Sequence, residues 1–135
     1  MNFSKTASYS LNILSYMAVN EDVKMSATLL NKKLGIPYPY LRQILSGLSK
    51  NGFIRSTKGR NGGFILNMPT ENIFLYDIIE ATDGTEGFSR CILGFTKCPF
   101  NDHCAMHPVW EETRDNLIKV LRGTSLKSIS EKRIR

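Results

Sequence analysis

Two short apolar-periodic segments, each closed by a glycine and followed by a cationic, glycine-rich turn, constrain this chain more than any other feature. Ser26 is a good N-cap, because its hydroxyl can accept a free amide of a helix over residues 27–34, which Gly35 is placed to end. Ile36 and Pro37 follow. A second helix starts near Pro39, where proline fits the first turn, and runs to Asn51 with Gly52 as its stop. Leu41, Ile44, Leu45 and Leu48 recur along it at helical spacing. Strand-like residues 53–57 and 64–67 then flank Lys58-Gly59-Arg60-Asn61-Gly62-Gly63, whose glycines and asparagine supply the positive φ angles of a hairpin tip. Two helices across a tight turn, then a basic hairpin, is the order of a winged helix-turn-helix.

Charge is distributed as that order would use it. The 48 residues from 23 to 70 contain no carboxylate and eight cations: Lys24, Lys32, Lys33, Arg42, Lys50, Arg55, Lys58 and Arg60. The formal net charge is +6, so the rest of the chain is slightly acidic. A one-signed block attracts a polyanion, and its contacts release counterions. The alternative is a solvated basic face without a partner. An apolar content of 41% and a charged content of 22% are those of an ordinary globular protein. No apolar run reaches the roughly 20 residues that span a bilayer, and no basic-then-apolar export signal opens the chain. A cytoplasmic location without membrane association is expected.

The remaining chain reads as mostly helical. Residues 4–19 form a helix with Ala7, Leu11, Leu14 and Ala18 on one stripe. A short helix covers 75–82, and 85–104 reads as a loop. A long helix runs from Pro108 to about Leu121, with Trp110, Leu117, Ile118 and Leu121 as its apolar face. A last one covers 126–132, capped by Thr124 or Ser125. The expected fold is mostly α with a small β-hairpin wing: a winged helix-turn-helix plus a long C-terminal dimerisation helix. The expected organisation is a DNA-binding unit over 1–84, a cluster-binding loop over 85–107, and a dimerisation helix and tail over 108–135.

A recognition helix offers its N-terminal side chains to base edges in the major groove. Here these are Tyr38, Pro39, Tyr40, Arg42 and Gln43. Arg42 matches the two acceptors of guanine, and Gln43 the donor–acceptor pair of adenine. Ser26 and Thr28, at the start of the preceding helix, suit phosphates. Lys58, Arg60 and Asn61 at the wing tip can approach the minor groove. Tyr38 and Tyr40 could instead simply pack, and Arg42 could be a solvent-facing cation.

All three cysteines, Cys91, Cys98 and Cys104, fall within 14 residues, and His107 follows three positions after the last. A loop so spaced can bring its sulfurs to one metal centre. Thiolates suit iron–sulfur clusters and zinc alike, and imidazole completes either set. The tight Cys-x-x-Cys knuckles of structural zinc sites are absent, which leaves cluster, zinc and redox-active thiol open. His107 precedes His103 as fourth ligand, because His103 neighbours Cys104 and points away from a site built on it. No paired carboxylates or nucleophile–base set argue for an enzyme, and no small-molecule substrate is expected.

The chain resembles the Rrf-two family of winged-helix regulators over essentially its whole length. The likeness rests on the tyrosine-bearing first helix and on Gly35-Ile36 with Tyr40-Leu41. It rests also on Leu48-x-x-Asn51-Gly52-Phe53, the wing from Lys58 to Gly63, Asp77-Ile78-Ile79, and the cysteine triplet. It implies a homodimer in which the long helix crosses its partner, with Trp110, Leu117, Ile118 and Leu121 facing outward. It also implies an iron–sulfur cluster. Cys91, Cys98, Cys104 and His107 resemble the three-cysteine, one-histidine ligand set of one branch. The nitric-oxide-sensing members draw an acid from near position 8, which here is Ser8, so 2Fe–2S is favoured over 4Fe–4S. Pro39 and Arg42 stand where the cluster-regulating branch often has a serine and an acid, and Arg60 replaces a proline in the wing. The operator sequence is therefore open, while the mode of binding is not. The implied function is a transcription regulator, as a repressor, that binds a double-stranded DNA operator and senses redox, nitric oxide or iron–sulfur status.

Overall fold

The computed structural model describes residues 3–84, 88 and 90–131. Helix α1 (Lys5–Val19) begins at Ser4, whose Oγ accepts the Ala7 amide at 3.0 Å. Ser4 also donates from its amide and its hydroxyl to the Asp83 carboxylate. That bond places a negative charge at the positive end of α1, a favourable arrangement. Helix α2 (Ala27–Leu34) is capped by Ser26, which accepts the Leu29 amide at 3.0 Å, and is closed by Gly35 at φ +70°. Helix α3 (Tyr38–Lys50) carries Pro39 in its first turn, and Gly52 turns the chain away at φ +83°.

Strands β1 (Ile54–Thr57) and β2 (Gly63–Leu66) pair antiparallel, Ile54 opposite Leu66 and Thr57 opposite Gly63. Both lie one residue from their sequence-expected bounds. The wing has an anchor that no periodicity announces. Met25 exchanges both backbone hydrogen bonds with Phe64, at 2.9 and 2.8 Å, so the residue before the Ser26 cap adds a single-residue bridge to the hairpin. A 3-10 turn (Thr70–Asn72) leads to α4 (Leu75–Asp83), then come α5 (Met106–Gly123) and α6 (Leu126–Glu131). Of the two candidate caps for α6, Ser125 accepts the Ser128 amide at 3.2 Å. Residues 85–87 and 89 of the expected loop, and Lys132 at the expected end of the last helix, lie outside the described residues. No helix among the described residues is long and apolar enough to cross a membrane.

The main core joins Ile13, Leu14 and Met17 of α1 with Leu30, the α3 stripe, Ile54 of the wing, Ile78 of α4 and Leu126 of α6. A second, smaller cluster sets Ile79 of α4 against Phe88 and Leu121, with Leu117 and Ile118 packed on it. Here the expectation for α5 is corrected. Trp110 and Leu121 do not face outward; they are 8% and 7% exposed. Leu121 packs with Ile79 and Tyr76 of α4, with Leu117 and Ile118 partly buried on the same cluster, while Trp110 is held to the loop at Arg90. Arg122 completes that seam, lying 4.5 Å from the Tyr76 ring centroid and donating to its hydroxyl at 3.3 Å. This hydrogen bond holds the guanidinium pKa above its ordinary value. The apolar residues that α5 turns outward are Met106, Val109 and Val120.

The wing's geometry depends on two glycines. A Cβ at Gly62 would stand 2.4 Å from the Thr57 carbonyl oxygen, and one at Gly63 2.9 Å from that of Met25. Replacing Gly63 by alanine should force β2 off the Met25 backbone. We expect Gly63→Ala to lower unfolding free energy by about 1–3 kcal/mol, the usual cost of overpacking, as read by chemical denaturation. Unchanged stability would mean that the Met25 bridge is not formed in solution.

Candidate functional site

Burial of Leu41, Ile44, Leu45 and Leu48 leaves Arg42, Gln43 and Ser46 on the exposed side of α3. Thr28, Tyr38, Pro39, Lys58, Arg60 and Asn61 are exposed as well. Ser26 is exposed, with its oxygen engaged in capping α2. A groove of about 410 Å³ is walled by Ala27 at the start of α2, Arg42, Ser46 and Ser49 of α3, and Ser56 and Phe64 of the wing. The helix start, the exposed face of α3 and the hairpin thus share one surface. Ser46, Ser49 and Ser56 were missed in the sequence, since isolated serines carry no periodic signal. Ser46 lies one helical turn beyond Arg42, and that spacing could have found it.

The two tyrosines at the head of α3 have different surroundings. Tyr38 is exposed, and the Arg42 guanidinium carbon lies 5.9 Å from its ring centroid. This stacking limits the freedom of the arginine and favours one presentation of its planar donors. Tyr40 is half-buried against α1, edge-on to Tyr9 at 5.5 Å between centroids, with its hydroxyl 2.5 Å from Thr6 Oγ1. It seats α3 upon α1.

Sharing no residue with that groove, Cys91, Cys98, Cys104 and His107 line a single cavity of about 160 Å³. The cysteines are half-buried free thiols. His103 is exposed and stands outside the cavity wall. Backbone strain shapes the loop: Asn101 and Asp102 both have positive φ, +51° and +62°. Two successive left-handed residues cost energy, though Asn and Asp tolerate the conformation better than most. The turn they make lets the Asp102 amide donate to Cys98 Sγ at 3.3 Å.

His107 opens the first turn of α5 between two acids. Its Nε2 lies 3.1 Å from Glu111 Oε1, and its Nδ1 lies 3.9 Å from Asp102 Oδ1. A carboxylate on one ring nitrogen orients the other, as second-layer partners do around metal-bound histidine. Arg90 and Arg114 also reach the cavity wall. They bring cations to a site whose working donors would be anionic thiolates, a feature the cysteine spacing does not disclose. The start of the loop is held by Trp110, whose indole N–H donates to the Arg90 carbonyl at 2.8 Å. Among the described residues, no three His, Cys, Asp or Glu side chains converge closely enough to hold a metal ion. The donors share a wall but stand apart.

Residues 3–132 match the family described as iron-dependent transcriptional regulator, Rrf2. A protein of Aquifex aeolicus, provisionally described as an HTH-type transcriptional regulator, is 35% identical over 131 residues, covering 96% of this chain and 91% of its own. The HTH-type transcriptional regulator IscR of Escherichia coli O1:K1 / APEC is 28% identical over 127 residues, 93% of this chain and 78% of its own. Among solved structures, the oxidized form of Staphylococcus aureus CymR superposes with a TM-score of 0.78 at 28% identity, covering the whole of both chains.

The indole bond gives the cavity a mechanical test. Trp110→Phe keeps an aromatic ring but removes the N–H with the pyrrole part of the indole, leaving the Arg90 carbonyl without its partner. It should cost on the order of 1 kcal/mol in stability and speed thiol labelling of Cys91 relative to Cys98. Equal labelling rates in variant and parent would show that this bond does not restrain the loop.

Proposed function

Because the chain belongs to the Rrf2 family of iron-dependent transcriptional regulators, and is thus a DNA-binding regulator rather than an enzyme, we propose that it senses its signal through an iron–sulfur cluster held by Cys91, Cys98, Cys104 and His107. The observation that carries this reading is the single cavity onto which all four side chains open. The donor chemistry fits: three soft thiolates and one imidazole suit an iron–sulfur centre. A bound centre of this kind would supply a one-electron redox group that is also sensitive to oxidants and nitric oxide.

The chain's own part is to gather and orient the donors. Since they stand apart, bringing them onto one centre requires residues 91–107 to close, so binding energy becomes loop-ordering energy. Glu111 at 3.1 Å from Nε2 and Asp102 at 3.9 Å from Nδ1 hold the His107 imidazole that would complete the donor set. The Asp102 amide hydrogen bond to Cys98 Sγ stabilises charge on that sulfur. Ser8, on the exposed side of α1, provides no carboxylate, which favours 2Fe–2S with a histidine ligand over 4Fe–4S.

On the DNA side, α3 enters the major groove with Arg42 and Gln43 reading bases and Tyr38 and Pro39 packing at its head. Ser26 and Thr28 of the α2 start take phosphates, and Lys58, Arg60 and Asn61 of the wing follow the minor groove. Tyr40 positions α3 through α1. Two copies bind a roughly palindromic operator as a homodimer, joined along the outward stripe of Met106, Val109 and Val120. Two observations favour a second reading. The donors stand apart, and a structural relative is known in an oxidized form, so the three thiols could act directly as a redox switch.

Anaerobic purification with iron, sulfide and visible absorbance measured together separates the two readings. Coloured protein with iron and sulfide is expected, and serine at any of the three cysteine positions should abolish the colour. Colourless material without iron or sulfide, even after reconstitution, rules the cluster out. For DNA, Arg42→Ala should cost about 1–3 kcal/mol and relax preference at one base position. Lys58→Ala should weaken all duplexes alike and reduce the log–log salt slope by about 1. Identical sequence selectivity in parent and Arg42→Ala would remove Arg42 from base reading.

A further inference from the structure

The sequence holds two Asn-Gly pairs, Asn51-Gly52 and Asn61-Gly62, and the fold treats them differently. Glycine after asparagine invites attack of the backbone on the side chain, because nothing hinders its amide nitrogen and its backbone bends freely. Asn51 closes α3 and is held there. Its side-chain amide donates to the Gly47 carbonyl at 2.9 Å, and its backbone amide donates to the same oxygen at 3.0 Å. Asn61 stands exposed at the wing tip, and among the described residues no hydrogen bond holds its side chain. Its φ is not positive, so the turn does not need asparagine for a left-handed conformation.

Geometry also fixes the residue that follows Asn61. A Cβ at Gly62 would stand 2.4 Å from the Thr57 carbonyl oxygen and 2.9 Å from that of Gly59. No bulkier successor can therefore shield the asparagine. The Gly62 amide donates to the Gly59 carbonyl at 3.0 Å, a lone turn bond at an exposed tip, of the kind that opens locally at little cost. The Gly52 amide is bonded too, to the Ser49 carbonyl at 3.1 Å. The free side chain, not the amide, sets the two pairs apart.

We propose that Asn61 is a site of spontaneous deamidation that ages the wing and weakens its hold on DNA. The Gly62 nitrogen bonds to Asn61 Cγ, the Cγ–Nδ2 bond breaks, and the displaced nitrogen leaves as ammonia with the proton of the Gly62 amide. Water then opens the five-membered imide at either carbonyl, giving aspartate or isoaspartate; nothing is oxidised or reduced. Either product puts the first carboxylate into the acid-free segment from Val23 to Thr70, on the same tip as the exposed Lys58 and Arg60. A new negative charge at such a contact repels phosphate. The loss of affinity rests on the wing reading given above; the deamidation does not.

The test incubates the full chain at physiological pH and temperature and maps its peptides by mass spectrometry over days. Position 61 should gain about 1 Da, with isoaspartate detected there, while position 51 lags by about five- to tenfold, the rate cost of one further hydrogen bond to break. In urea the two positions should react alike. Equal native rates, no reaction at position 61, or the same difference in urea would overturn the site. Duplex affinity is followed in the same samples. The aged parent should bind all duplexes roughly five- to tenfold more weakly at about 0.1 M salt, the effect of one counterion fewer released. Asn61→Asp should show that loss from the start, and Asn61→Gln, whose ring closure is slow, should keep its own starting affinity throughout. Parent protein converted at position 61 that binds as tightly as fresh protein overturns the DNA consequence alone.

Discussion

The burial of one stripe of α3 sets the terms for the rest of the molecule. Leu41, Ile44, Leu45 and Leu48 are all at most 5% exposed, and each contributes about 1.5–3 kcal/mol by leaving water. Rotating α3 about its axis would forfeit much of that sum, so the helix has one allowed orientation. The side chains at the intervening positions then have no choice of direction. Arg42 and Ser46 fall on the groove shared with the wing, and Gln43 is exposed beside them. A function on α3 is specified less by the residues that carry it than by the four leucine and isoleucine side chains behind them.

Electrostatics follow the same frame. The acid-free segment from Val23 to Thr70 spans α2, α3 and the wing, the elements that share the groove. The neighbouring carboxylates are held elsewhere: Glu21 accepts the buried Thr70 hydroxyl at 2.7 Å, and Asp83 is tied to Ser4. No carboxylate lines the groove itself, whereas Glu21, Asp22 and Glu71 gather beside Ile65 and Leu66 of β2; the cationic groove attracts a polyanion. The thiol cavity mixes both signs, Arg90 and Arg114 with Asp102 and Glu111. Such a mixture suits a metal-ligating or redox-active site better than one that collects anions.

What the sequence disclosed and what it hid divide along physical lines. Helices α1, α2 and α3 were legible to within a residue or two, because the α1 stripe is strongly periodic and Ser26, Gly35 and Gly52 are local signals that act within one turn. The hairpin was legible for the same reason. The Met25–Phe64 bridge was not, since a single residue pairing across a long separation leaves no period to read. The direction of the α5 stripe was read wrongly. Trp110, Leu117, Ile118 and Leu121 mark an apolar face, but periodicity cannot say whether that face meets α4 of its own chain or a partner. The cavity was half legible: the cysteine spacing brought out Cys91, Cys98, Cys104 and His107, while Arg90, Arg114 and Glu111 enter only through the fold.

A regulator needs a route between its two sites, and the packing provides a continuous one. Trp110 ties the loop that begins at Arg90 to α5. Leu121, Leu117 and Ile118 of α5 lie in one cluster with Ile79 of α4. Asp83 at the end of α4 holds Ser4 at the start of α1, and Thr6, two residues along, holds the Tyr40 hydroxyl at the head of α3. Contiguity alone does not make a switch; some element on the route must have two arrangements that both ends bias. The loop over residues 91–107 is the part of the route with the means to do so. It carries two left-handed non-glycine residues, exposes Leu93 and Phe100, and keeps its donors apart. If closing that loop on a metal centre shifts α5, the free energy linking the loop to DNA is shared in both directions. A bound operator must then tighten or loosen the loop's hold on its ligand by the same factor by which the ligand alters affinity for DNA.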